Sequence, residues 1–149
     1  MASAAPRFTA TEMMKLKRLS DPQVSPDGTL VAFALAEVDL EEGRRNTDLW
    51  LVPVSGGEPR RITTNPASDS HPRWSQDGTR VAFLSTRDGG SQVFVLDLAG
   101  GEPRKLTSLA TGVDSFAWID AQRLLVATGV FPDCGKDDAC NAKRLAAAG

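Results

Sequence analysis

The chain has 149 residues, of which 41% are hydrophobic and 24% charged, an ordinary balance for a folded globular unit of about one domain and not for a disordered one. Its net charge is −2 and its basic residues are scattered, so it lacks the positive footprint that nucleic-acid binding requires. The longest apolar run, around Leu124 to Val130, is interrupted by Thr128 and Gly129 and falls well short of the roughly 20 residues that span a bilayer.

The first residues, Met1 to Pro6, are small and carry neither a charged start nor an apolar core, so a signal peptide is not expected in this sequence. Small residues of this kind also flank signal cleavage sites. Thr9-Ala10-Thr11-Glu12 fits a capping box, and Met13 and Leu16 follow at helical spacing, which predicts a short amphipathic helix over residues 10 to 18. The lysines and arginine in its last turns suit the negative end of the helix dipole and read as a solvated face.

Beyond it the chain repeats itself. Val24 to Leu35 reads VSPDGTLVAFAL and Trp74 to Ser85 reads WSQDGTRVAFLS; a second string, GGEPR, occurs at Gly56 to Arg60 and again at Gly100 to Arg104. Ser25 and Ser75 are 50 positions apart whereas Gly56 and Gly100 are 44 apart, so the first unit carries six extra residues between its two strings. Trp118 lies 44 after Trp74 and is followed by Arg123 to Thr128, a worn copy of Arg80 to Ser85. Short strands recurring at this period predict an all-β chain: a β-propeller of four-stranded antiparallel blades, about two and a half of which are present. The expected division is an N-terminal segment, 1–20, and a partial propeller, 21–149, with blade units at about 21–64, 65–108 and 109–149, the last incomplete.

In the second unit the expected strands are Ser70 to Trp74, Arg80 to Ser85, Gln92 to Leu96 and Arg104 to Thr107. Ser-x-Asp-Gly turns join the first two strands, Asp capping its own backbone and Gly supplying positive φ. Long connections are expected at Glu37 to Thr47, Thr86 to Ser91, Thr64 to Ser70 and Ser108 to Asp114. All four fall on one face, the face on which irregular loops carry function. The charged loop at Glu37 to Arg45 also reads as a solvated insertion. After the third unit the pattern breaks at Phe131, and Asp137 or Asp138 could cap a final helix through Ala142 and Leu145.

Candidate chemistry is sparse. The sequence has no Gly-x-Ser-x-Gly nucleophile elbow and a single histidine, His71, which opens an inner strand and reads as structural or channel-lining. No catalytic, cofactor-binding or metal-ligating residue is assigned. The glycine pairs lack phosphate-loop context and read as hairpin turns. Trp74, Trp118 and Phe83 sit at periodic strand positions and read as packing between blades. Cys134 and Cys140, six apart with Asp133, Asp137 and Asp138 nearby, fall short of the ligands a zinc site wants; a local disulfide in an oxidising compartment is the better reading, with free thiols the alternative.

The VAF strands, the VFVLD strand and the GGEPR-x-L-T ending resemble the repeats of TolB-type propellers. The order of a helix at Phe8 to Met14, then Leu19 to Gly28, then the Val130 to Cys134 break with its cysteine-bearing helix is similar to the start of bacterial dipeptidyl and acylaminoacyl peptidases of the prolyl oligopeptidase superfamily. The resemblance implies a seven-bladed parent propeller that filters peptide substrates before an α/β-hydrolase domain, and a periplasmic or secreted location. The partners it implies are the rest of the propeller, that hydrolase domain, and peptides through the parent enzyme; neither nucleic acid nor membrane is among them. The catalytic triad belongs to the hydrolase domain and has no counterpart here. The alternative is part of a non-catalytic TolB-like periplasmic propeller that mediates protein–protein interaction.

Overall fold

This structure, a computed structural model, describes Met13 and residues 16–148. Two four-stranded antiparallel sheets follow one another along the chain. The first contains β1 (Arg18–Val24), β2 (Leu30–Asp39), β3 (Arg44–Pro53) and β4 (Arg60–Arg61); the second contains β5 (Asp69–Trp74), β6 (Arg80–Asp88), β7 (Gly90–Asp97) and β8 (Arg104–Lys105). Both are simple meanders in sequence order. A two-stranded sheet of β9 (Ser115–Trp118) and β10 (Leu124–Ala127) comes next, then helix α1 (Asp138–Ala148). The propeller architecture read from the repeat is the one observed.

The repeated turn explains why each meander starts alike. Asp27 accepts three hydrogen bonds on Oδ1, from the Ser25 hydroxyl at 2.6 Å, the Thr29 amide at 3.0 Å and the Thr29 hydroxyl at 2.8 Å. Asp77 takes the same three bonds from Ser75 and Thr79. The serine hydroxyls, nearly buried, also accept the amides of Leu30 and Arg80 at 3.0 Å, and Gly28 and Gly78 supply φ values of +74° and +70°. In the third unit Asp120 caps the shortened turn, accepting the amides of Gln122 and Arg123.

Several boundaries depart from the sequence expectation. Met13 is helical, but Leu16 and Lys17 are not, and Arg18 opens β1 by pairing with Ala36; the remainder of the expected helix lies outside the described residues. The expected loop at Glu37 to Thr47 is mostly ladder, with pairing continuing to Asp39 opposite Arg44. Asp39 closes the tip by accepting the amides of Glu41 and Glu42, and Gly43 turns the chain at φ +62°. Thr86 to Ser91 is likewise drawn into a hairpin that ends at Asp88 opposite Gly90. The fourth strands are shorter than expected, two residues each. Thr63 and Thr107 leave the ladder and use their hydroxyls to accept the amides of Leu49 and Val93 at 2.9 Å.

The core lies between sheets. Phe83, Phe94 and Leu96 pack against Ala34 and Leu49 of the first sheet, while Ala82, Leu84 and Val93 on the opposite face pack against Phe116 of the third and Val113 of the link before it. Val93 to Leu96 are buried without a break, as a strand covered on both faces requires.

After β10 the chain folds around Asn141, which is 2% exposed. Its Oδ1 accepts the Phe131 amide at 2.9 Å and its Nδ2 donates to the carbonyls of Gly135 and Asp137. Asp137 caps α1 by accepting the Cys140 amide at 3.1 Å, and Asp138 accepts the Ala110 amide, tying the helix to the link between the second and third sheets. Cys134 and Cys140 form a disulfide across this turn, with Cα atoms 5.5 Å apart.

Two outcomes are expected. Intact mass of the denatured protein should rise by two hydrogens on reduction; an unchanged mass means free thiols. The Ser75 hydroxyl, followed by the Thr79 amide and hydroxyl, lowers the Asp77 carboxyl from 3.8 to about 2, and the matching contacts lower Asp27. A depressed carboxyl contributes stability that is present above its unfolded value and is lost as pH falls through the folded one. The melting midpoint should therefore fall between about pH 4 and pH 2, and Asp77→Asn should flatten part of that slope. An identical pH profile in the variant would remove Asp77 from the account.

Candidate functional site: the inner strands and the blade junctions

β1, β5 and β9 open the three sheets, and β5 lies against both of the others. Asp21 and His71 occupy equivalent positions on β1 and β5, each followed by proline and each at positive φ, +50° and +56°. Ladder pairing slips at both places, between Ser20 and Gln23 and between Ser70 and Arg73. A proline cannot donate to the ladder, and the local bulge turns the preceding side chain out of the pleat. His71 is exposed. Its Nδ1 lies 3.4 Å from the adjacent Ser70 hydroxyl, longer than the roughly 2.6–3.2 Å a working base requires.

Polar contacts stitch these inner strands together. Arg73 Nη1 donates to Asp21 Oδ2 at 2.7 Å, and Gln23 Nε2 donates to Asp21 Oδ1 at 2.8 Å. Trp74 Nε1 donates to the Gln23 carbonyl at 2.8 Å, and Trp118 Nε1 donates to the Arg73 carbonyl at 3.1 Å. Each indole thus reaches back to the preceding blade, to the residue just before the position equivalent to its own. The two tryptophans are only half-buried, and they flank a cleft of about 490 Å³ bounded by Gln23, Val24, Arg73 and Ala117. Trp118 packs against the core beside Phe116, in keeping with the packing expected, and the indole N–H makes each tryptophan a directional clasp as well. Phe83, fully buried, is filler as expected.

At the opposite ends of the strands each of the first two sheets carries an ion pair of its own on a buried carboxylate. Asp69, fully buried, pairs with Arg87 at 3.0 Å, and the guanidinium lies 4.7 Å from the ring centre of Phe94 and 5.6 Å from that of Phe83. Asp48, also buried, pairs with Arg61 at 2.6 Å. Sequence reasoning found neither carboxylate. The available signal was an acidic residue directly beside a strand of buried aliphatics, which demands a partner.

Residues 44–131 match the family model described as the tricorn protease N-terminal beta propeller domain, more than half of the chain. The chain belongs to this family.

Relatives extend the likeness of this tricorn-type propeller. The uncharacterized peptidase YuxL of Bacillus subtilis is 33% identical over 121 residues, covering 80% of this chain and 18% of the relative. Among solved structures, an acylaminoacyl peptidase of Pyrococcus horikoshii is 28% identical with a TM-score of 0.65, covering 84% of this chain and 19% of that one. The propeller domain of the trilobed protease of Pyrococcus furiosus is 26% identical with a TM-score of 0.61, covering 75% and 34%. The chain thus spans about a fifth of the length of the peptidases it matches. The Cys134–Cys140 disulfide fits an oxidising compartment, and no helix among the described residues is long and apolar enough to cross a membrane.

The clasp carries a measurable consequence. Trp74→Phe removes the N–H while keeping most of the aromatic area, so it should lower stability by about 1 kcal/mol, the net worth of one hydrogen bond, with Trp118→Phe doing the same. Denaturant unfolding measures it; midpoints unchanged in both variants would mean that the indoles contribute packing alone.

Proposed function

We propose that this chain is the N-terminal part of the propeller of a periplasmic or secreted serine exopeptidase, of dipeptidyl or acylaminoacyl type. Its role there is to gate the entry of peptides to an α/β-hydrolase domain outside these 149 residues. The observation that carries the reading is the likeness to the acylaminoacyl peptidase of Pyrococcus horikoshii, at 28% identity over 84% of this chain. Similarity to the dipeptidyl-peptidase 5 of Porphyromonas endodontalis, 23% over 126 residues, supports the same class. Blade units at about 21–64, 65–108 and 109–149 are proposed, with the first strand of the first unit beginning earlier, at Arg18, and seven blades are proposed for the parent.

The physical basis is size exclusion. Inner strands locked by Arg73 to Asp21 and by the indole clasps make a stiff wall, and a stiff wall of fixed width admits a thin extended peptide while refusing a folded one. The nucleophile, base and oxyanion hole are assigned to the hydrolase domain. The disulfide supports an oxidising compartment for the whole protein.

A second reading has its own support: a TolB protein homolog of Chlorobium luteolum is 45% identical over 57 residues, 38% of this chain. In that case the propeller presents a face to a protein partner and does no chemistry. The full-length protein decides between them. It should hydrolyse dipeptidyl or acylaminoacyl chromogenic substrates and lose that activity to a serine-directed fluorophosphonate, with the label on a peptide beyond residue 149. Failure in both assays overturns the peptidase reading in favour of the interaction protein, and a label within residues 1–149 overturns the location given for the chemistry.

A further inference from the structure

The two complete sheets offer the same slot twice and fill it differently. Leu35 faces Asp48 across β2 and β3 as Ser85 faces Gln92 across β6 and β7, so Asp48 and Gln92 are equivalent. Gln92 is satisfied within the chain: its Nε2 donates to the Leu109 carbonyl at 2.7 Å, and its Oε1 accepts the Thr107 hydroxyl at 2.8 Å and the Leu109 amide at 3.1 Å. Asp48 is one methylene shorter. Its Oδ2 accepts from Arg61 at 2.6 Å and from Asn46 Nδ2 at 3.0 Å, whereas its Oδ1 is buried with no hydrogen-bond partner among the described residues. The same is true of Asn46 Oδ1. Asp48 as a whole is 4% exposed. Buried acceptors without a donor are rare in folded proteins and call for a partner.

A second difference concerns charge. In the second sheet Arg87 places a guanidinium beside buried Asp69 and over the Phe83 and Phe94 rings. The repeat puts Glu37 at that position in the first sheet, where it pairs with the exposed Lys17 at 2.5 Å. The first sheet therefore has a carboxylate where its counterpart carries a half-buried cation. Asn46 and Asp48 line a cleft of about 370 Å³ at the base of the extended β2–β3 hairpin, next to Pro66, and its walls bring four carboxylates against three guanidiniums. Burial raises the Asp48 carboxyl from its ordinary value in spite of Arg61, as expected for a carboxylate still short of donors.

We propose that this cleft binds one alkylammonium group, of the size and chemistry of a lysine side chain, held by the unpartnered Oδ1 atoms of Asn46 and Asp48. An ammonium is a compact cation with three donors and no acceptor, so it serves two neighbouring acceptor oxygens and leaves a donor for the acidic wall. A guanidinium is a wide planar fork suited to a bidentate carboxylate, and Asp48 already gives its other oxygen to Arg61. The site lies on the hairpin side of the first sheet and does not depend on the peptidase reading.

The test uses the full-length protein with Nα-acetyl-lysine amide as probe and Nα-acetyl-norleucine amide, the same side chain without its terminal ammonium, as neutral control, followed by calorimetry or NMR titration. Saturable binding of the lysine probe is expected, with the norleucine probe weaker by at least about tenfold, the worth of one charge-assisted hydrogen bond. Asp48→Gln installs the residue of the second sheet; it should fold, keep or raise the melting midpoint, and weaken lysine binding by at least about tenfold. Asn46→Ala, on the more accessible member of the pair, should weaken it as well. Absence of saturable binding, equal binding of the norleucine probe, or undiminished binding in both variants overturns the proposal and leaves the two oxygens to ordered water.

Discussion

Phe83 and Phe94, stacked across β6 and β7 with ring centres 6.2 Å apart, are the contact on which the remainder depends. A four-stranded sheet has two faces and can bury them only against other sheets, because a single meander is too thin to hold a core of its own. The aromatic pair fills the space between the first two sheets, and Ala82, Leu84 and Val93 behind it fill the space to the third. Everything polar at the junctions is placed relative to that packing. Arg87 lies over the two rings and can therefore meet Asp69; the indoles of Trp74 and Trp118 reach back across the same junctions at the inner strands.

Much of this was legible in the sequence, and the reason is local. A turn such as Ser75-Gln76-Asp77-Gly78 fixes its own geometry through contacts two to five residues apart, so a repeated string implies a repeated shape. The alternation of strand and turn followed, and with it the propeller. Strand ends were less legible. Whether Val38 and Arg45 pair or loop depends on cross-strand bonding that no residue specifies alone, and Thr63 stops β4 with a hydroxyl that composition does not distinguish from one in a strand. The buried carboxylates were least legible of all: Asp69 and Arg87 are 18 residues apart in sequence and meet only once β5 and β6 pair in register.

Equivalent positions in the two complete sheets also show what the repeat conserves and what it leaves free. The Ser-x-Asp-Gly-Thr turn keeps its four side-chain contacts in both copies. The slots at Asp48 and Gln92 have diverged in length and charge, and those at Glu37 and Arg87 have reversed sign. These two slots lie at the strand ends beside the extended hairpin, while the inner strands diverge as well, Asp21 against His71 and Val24 against Trp74.

The indole clasp has a direction. Each donor sits on the later sheet and each acceptor carbonyl on the earlier one, Trp74 to Gln23 and then Trp118 to Arg73. A chain made from its N-terminus therefore produces every acceptor before the donor that will use it, and an early sheet waits with a carbonyl that water can solvate rather than with a bulky indole exposed to the solvent. Assembly can proceed one meander at a time in the order of synthesis, each new arrival locking onto a surface already formed, and no step requires an earlier sheet to reopen.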